Sequence, residues 1–255
     1  MNKDIWLLFL KGIPIGISNV LPGISGGTIA VVLRIYDTLI NGIKTINLKV
    51  IIPIGLGAFL GLLATASLVD YLLDNYTSFM MAFIFGLIIS SAKVTVLDIK
   101  KINLVIIGCL IAGLALALLI AYQPTGLADA QTIVSTKRII FGGVFASISM
   151  LLPGISGATV LILLGIYEFI IEALLSLNIL IISIFAVSAI CGMLAFSWLL
   201  AYLLQNYRSE LMSLLTGLII GSALVAMPTS FIWTDCGGII LGVLIVLLLS
   251  RNSAT

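Results

Sequence analysis

The sequence predicts an all-α integral membrane protein built from two inverted-topology repeats, each a re-entrant helical hairpin plus three transmembrane helices. Three observations predict it. The chain is 62% apolar and 9% charged, whereas a soluble domain carries about 25% charged residues. The string PGISG occurs twice, at 22–26 and 153–157, each time inside an apolar region. Three long apolar runs separate the two regions, and an odd number of crossings turns the second copy over.

Composition sets the class. With a mean hydropathy of +1.33 and repeated long apolar runs, several helices span the bilayer. Period-two alternation is absent, which argues against an outer-membrane barrel. The run after "MNKD" has no small-residue cleavage site followed by a polar region, so the N-terminus reads as retained rather than as a signal peptide. There is no basic tract of the kind nucleic acid requires. Histidine is absent, which removes the commonest general base and metal ligand. No metal, cofactor or catalytic residue is expected. Cys109, Cys191 and Cys236 lie in or beside apolar runs without CxxC spacing and read as small buried hydrophobes.

The repeat has a constant offset. Pro153 follows Pro22 by 131 positions, and the same shift lays ISNVLPGISGGTIAVVLRIYD over ISMLLPGISGATVLILLGIYE. Without a gap it also aligns GLLATASLVDYLLDNY (61–76) with GMLAFSWLLAYLLQNY (192–207), and GLIISSA from Gly86 with GLIIGSA from Gly217. The halves are therefore 1–131 and 132–255.

In order, the first half comprises a hairpin over 5–43 and spans at about 51–69, 79–92 and 102–122. The second comprises a hairpin over 138–175 and spans at about 179–204, 211–227 and 238–250. The arms flanking each PGISG (5–19 and 28–43, 138–151 and 159–175) are about 15 residues long, and crossing takes about 20. Each pair therefore enters and leaves on one side. Non-helical backbone at that depth needs protein or a water-filled cavity around it.

Charge tests the topology. With the N-terminus on one side, Lys3, Lys11, Lys44, Lys49, Lys93, Lys100, Lys101, Arg208 and Arg251 all fall on that side. Lys137, Arg138, Asp70, Asp74, Asp129 and Asp235 fall on the other. The lysine and arginine bias makes the first side the cytoplasm, with both termini there. Inverted repeats of this kind carry midplane sites formed by discontinuous helices in many secondary transporters, and here the two tips can meet.

The tips have anion chemistry. Pro22 ends the first arm. Gly23, Gly26 and Gly27 allow close backbone approach, and Ser25 and Thr28 are N-cap residues. The arm after each tip then starts with free N–H groups at its positive end, which suits phosphate. The candidate phosphate-binding residues are Asn19, Gly23, Ser25, Gly26, Gly27, Thr28 and Arg34, with Gly154, Ser156, Gly157 and Thr159 in the second copy. The competing structural reading is a tight turn whose hydroxyls only cap it. Arg34, Asp37, Thr38 and Asn41 are spaced to form one polar face. Arg34 either meets a phosphate or pairs with Asp37. Glu168 is a candidate site for a coupling proton or sodium ion. Tyr36 and Tyr167 match by the offset; the default reading of both is a structural interhelical hydrogen bond, and the functional one is a candidate polar relay with Asp37 and Glu168.

The motif N-x-L-P-G-x-S-G-G-T followed by G-x-Y-[DE], repeated once, resembles the polyprenyl-phosphate transporter family over nearly the whole chain. The first copy has Asn19 and the complete PGISGGT, with Arg34 at the later glycine position. The second has Met150 and Ala158 as departures, with Gly165, Tyr167 and Glu168 complete. The resemblance implies a flippase that returns undecaprenyl phosphate to the inner leaflet of a prokaryotic plasma membrane, recycling the carrier for cell-wall and surface glycans. Its partners would be that lipid and the surrounding membrane lipids. The oligomeric state has no signature in the sequence.

Two other readings compete. Membrane lipid-pyrophosphate phosphatases share inverted hairpins and a motif resembling PG-x-S-R-S, but here Gly26 and Gly157 follow the serines. A secondary transporter of a small soluble anion would use the same tips without the lipid.

Overall fold

A computed structural model describes residues 3–100, 102–122, 134–228 and 233–251. Lys101 and Asp129, which entered the charge tally, lie outside them. The described residues form twelve helices and no strand. The first six are α1 (Lys3–Val20), α2 (Gly26–Val32), α3 (Tyr36–Lys44), α4 (Leu48–Asn75), α5 (Thr77–Val96) and α6 (Leu104–Ala121). The last six are α7 (Thr136–Leu151), α8 (Gly157–Leu163), α9 (Tyr167–Leu175), α10 (Ile179–Asn206), α11 (Arg208–Val225) and α12 (Trp233–Arg251). Five of them, α4, α5, α6, α10 and α11, are long and apolar enough to cross a membrane.

The duplication recurs in three dimensions. Shifted by 131 positions, α2, α3 and α4 coincide end for end with α8, α9 and α10. The left-handed residues recur in the same way. Gly23 (φ 77°) matches Gly154 (85°), Arg34 (53°) matches Gly165 (61°), and Ile46 (50°) matches Leu177 (53°).

These angles overturn one expectation. The apolar runs 28–43 and 159–175 read as single arms, yet each is two short helices. The α2 helix ends at Leu33 with Arg34 left-handed, and the Ile35 N–H reaches back to the Ala30 carbonyl, a Schellman stop. The Lys11 ammonium donates to the Leu33 carbonyl freed by this stop. The second copy repeats it at Gly165, and α9 leaves α8 at 111°. Arg34 therefore cannot share a helical face with Asp37, Thr38 and Asn41.

Close packing rests on small residues, because lipid supplies no hydrophobic drive between helices. Gly12 lies against Ile54 and Gly57, and Gly61 against Ile13, so α1 and α4 run side by side in the same direction. In the second half Gly143 faces Phe185 and Ser188 while Gly192 faces Val144, which sets α7 beside α10 in the same way. The third long helices are exchanged between halves. Gly238 meets Phe79 and Gly242 meets Phe83, so α12 lies parallel to α5. Gly113 meets Leu214 and Gly221 meets Ala117, so α6 lies parallel to α11. At the centre α5 and α11 run antiparallel, joined by a 2.7 Å hydrogen bond from Thr216 to Thr95. Lys93, Arg208 and Arg251 end on one face of this bundle, the basic end, and Asp235 accepts from the Ser78 hydroxyl at 2.9 and 3.0 Å at the opposite end.

The cysteines correct a second expectation. Cys109 is half-buried, but Cys191 and Cys236 are exposed on the outer surface of α10 and α12, where apolar surface faces outward along most of the helix.

Candidate functional site

The two PGISG tips meet, and the first grips the second. The Ser25 hydroxyl donates to the Leu152 carbonyl (3.1 Å) and accepts from the Gly154 N–H (3.2 Å). The Thr28 hydroxyl also accepts from Gly154 N–H, at 3.0 Å, and lies 3.1 Å from the Ser25 hydroxyl. From α3, the buried Tyr36 hydroxyl donates to the Leu151 carbonyl at 3.0 Å. Gly27 permits this approach, since a Cβ there would stand 3.0 Å from the Leu151 carbonyl oxygen. Ser25, Thr28 and Tyr36 thus satisfy the carbonyls and N–H that the bend at Pro153 leaves without helical partners.

At the first tip, two of the N–H groups expected to be free are engaged within the tip itself. Ser25 caps α2 through the Thr28 N–H at 3.3 Å, and the Asn19 side-chain oxygen accepts from the Gly26 N–H at 3.1 Å. Thr28 is not a cap but the third residue of α2, and all seven residues of that helix are buried. These groups are committed to holding the structure together.

The second tip is different. Ser156 occupies the N-cap position of α8 without a side-chain cap bond. Met150 stands where the first copy has Asn19, and a thioether cannot replace that acceptor; its side chain lies against Gly157 instead. Ser156, Gly157 and Thr159 are half-buried and Ala158 is exposed. Among the described residues no hydrogen bond engages the Ser156 or Thr159 hydroxyl. Unpaired N–H and O–H donors gathered at a helix start can hold an anionic oxygen.

The charged residues lie apart from the knot. Beneath Tyr36 a cavity of about 100 Å3 is lined by Val31, Arg34, Asp37, Asp98, Arg208 and Met212. Asp37 pairs with Arg208 at 2.6 Å, and the same guanidinium reaches Asp98 at 2.8 Å. The alternative in which Asp37 pairs with Arg34 is therefore not realised, and Arg34 makes no ion pair among the described residues. Nearby, the Lys44 ammonium lies 4.7 Å from the centre of the Trp198 ring, tying α3 to α10. Tyr167 and Glu168, the matches of Tyr36 and Asp37, are exposed at the start of α9, and their side chains have no hydrogen-bond or ion-pair partner among the described residues.

Sequence reasoning missed Arg208, Asp98 and Trp198. Arg208 entered the basic count, but only the tertiary fold brings it to Asp37, 171 positions away.

Comparison with known proteins follows the same lines. The family model described as undecaprenyl phosphate translocase-like matches residues 15–52 and 43–237. A protein of Vibrio cholerae serotype O1 named polyprenyl-phosphate transporter is 33% identical over 247 residues, covering 89% of this chain and 78% of the relative. A Staphylococcus aureus protein of the same name is 30% identical over 256 residues, covering 89% and 88%. No solved structure matches the chain.

Proposed function

The chain belongs to the undecaprenyl phosphate translocase-like family, and from that membership we propose that it is a polyprenyl-phosphate transporter returning the carrier lipid from the outer to the inner leaflet of a prokaryotic plasma membrane. The observation that carries the proposal is the joined pair of tips. The first spends its hydroxyls on the second, the second keeps open donors, and Arg34, which makes no ion pair among the described residues, lies on the far side. A phosphate cannot cross hydrocarbon unaided, since even one charged side chain at the bilayer centre costs about 2.5 kcal/mol or more. The path between the tips supplies polar partners, while an isoprenoid tail stays in lipid.

Three features support inverted halves with the basic end in the cytoplasm. The helix pairs run parallel across the exchanged contacts. The positive charge gathers at one end. The offset of 131 relates the helix ends, and an odd number of long helices lies between the hairpins.

On this reading the cytoplasmic side is shut. The latch is Asp37–Arg208–Asp98 with Lys44 over Trp198, and the second hairpin stands open toward the outside. In the opposite state the second hairpin takes the place of the first. Its α9 then packs on α4, where a cavity of about 360 Å3 lined by Val20, Ala66, Ser67, Val69, Asp70 and Leu73 now lies. Ser67 is the match of Trp198, and Val20 of Leu151, so Tyr167 would reach the Val20 carbonyl as Tyr36 reaches Leu151. Glu168, exposed now and carried inward by that closure, is the candidate for a coupling proton or sodium ion.

A hydrolytic role finds no support at the first serine. The Ser25 hydroxyl is held between Leu152, Gly154 and Thr28 rather than beside a base. The test is reconstitution in liposomes with a labelled polyprenyl phosphate, with and without proton and sodium gradients. Protein-dependent translocation of the lipid is expected; uptake of a small anion without lipid movement would overturn the proposal.

A further inference from the structure

We propose that a cavity of about 280 Å3 at the basic end, between the last turns of α5 and α12, is a second binding site for a phosphate monoester. Arg34, Lys93 and Arg251 line it together with Ser90 and Ser250, and among the described residues no acidic one does. This separates it from the smaller cavity next to it, which shares Arg34 and Val94 but holds Asp37 and Asp98 against Arg208. Those two acids are already committed to one guanidinium. Arg34, at the boundary between the cavities, is left to the side that has no negative charge.

Charge compensation by the fold is incomplete. Lys93 and Arg251 sit in the last turns of α5 and α12, whose dipoles contribute about half a negative charge each. Three cations against two such helix ends leave an excess of about two positive charges, which a phosphate monoester at about −1.5 to −2 would neutralise. Arg34 is also held in a left-handed conformation where the other half uses Gly165.

The rest of the lining favours a lipid phosphate. Leu97 (63% exposed) and Leu247 (40% exposed) form an apolar wall at the cavity edge, against which the first isoprene units can lie while the phosphate meets the cations. The volume is below the usual range of about 300–1,000 Å3 for small-molecule pockets. It suits a headgroup and the start of a tail, with the remainder in the membrane. The site faces the side to which the phosphate is delivered, and its assignment to a lipid rests on the transport reading above.

The test measures binding to the full-length protein in detergent. A short-chain isoprenyl phosphate, the matching phosphate-free alcohol and inorganic phosphate are compared for the unaltered chain, for Lys93→Gln/Arg251→Gln and for the charge-preserving Lys93→Arg/Arg251→Lys. The expected result is at least a tenfold loss of isoprenyl-phosphate affinity in the glutamine pair only, with weak alcohol binding throughout and an unchanged elution profile. Unchanged affinity in the glutamine pair would overturn the site. Inorganic phosphate binding as tightly as the isoprenyl phosphate, with the same loss, would overturn the lipid assignment. Transport in liposomes separates the two proposals. Transport with unaltered binding in the glutamine pair sinks only this site, and binding without any transport by the unaltered chain sinks only the transport reading.

Discussion

The two hairpins carry nearly the same string and the same backbone, yet occupy different environments. The first is buried along α2 and spends its polar groups on the second, Ser25 and Thr28 on Gly154 and Tyr36 on Leu151, while Asn19 closes its own tip at Gly26. The second has only Leu161 buried along α8, no capping bond at Ser156, and an exposed Tyr167. Local sequence does not account for the whole contrast, because the tyrosine is present in both. Met150 accounts for part of it, since it lacks the acceptor with which Asn19 closes the first tip, and Ala158 carries the Cβ that Gly27 omits where it meets Leu151. The remainder is tertiary packing: α3 of the first hairpin lies against α10 through Lys44 and Trp198, and on the proposed reading α4 offers the second hairpin a matching seat.

The comparison breaks most sharply at Gly154. Its φ is 85°, and a Cβ would stand 2.7 Å from the Leu218 carbonyl oxygen. Gly154→Ala should cost about 2–4 kcal/mol, from strain and a displaced backbone, read as a lower unfolding temperature in detergent and lost transport. Gly157→Ala meets the movable Met150 side chain at 2.9 Å and the Ala146 carbonyl oxygen at 3.1 Å, with no left-handed strain, and should be milder in stability. A bulkier Gly157→Leu should abolish transport while the protein still inserts. Full transport by that variant would remove the second tip from the site.

The tyrosines come next. Tyr36→Phe leaves the Leu151 carbonyl without its partner and should destabilise by about 1–2 kcal/mol, whereas Tyr167→Phe should lie within about 0.5 kcal/mol. Equal losses in thermal unfolding would mean that both hairpins spend comparable time seated. Met150→Asn gives the Gly157 N–H the acceptor that Asn19 gives Gly26. If open donors there hold phosphate, initial transport rates should fall about tenfold, equivalent to about 1.4 kcal/mol. The smallest effect belongs to Asp37→Asn. The ion pairs at Arg208 are partly exposed (side chains 39%, 46% and 33%), so the change is worth up to about 1 kcal/mol. It should raise labelling of a cysteine introduced at Val31 from the basic end by no more than about fivefold, while Glu168→Gln should leave that labelling unchanged.

Much of this was legible in the residues. The offset from Pro22 to Pro153 gives the duplication, and the helix ends and left-handed positions obey it. The meeting of the tips follows from the same string. The break at Arg34 was hidden because apolar residues continue from Thr28 to Ile43 across it. Its one signal was Gly165 at the matching position, since glycine is the usual residue at a left-handed helix stop. The division of labour between the tips was not legible, because it depends on which hairpin packs. The latch at Arg208 was hidden for another reason: hydrophobic periodicity carries no information on which distant charges will meet.

The exchange of third helices has a consequence for biogenesis. The glycine-faced surface that α5 offers to α12 is completed only when roughly 140 further residues have been made, a wait of about 7–30 s at about 5–20 residues per second. During that time α5 has emerged from the insertion machinery with its groove against lipid, and α6 waits in the same way for α11. The two halves are therefore not modules that mature one after the other. The first half waits unfinished until α12 has been made and completes it.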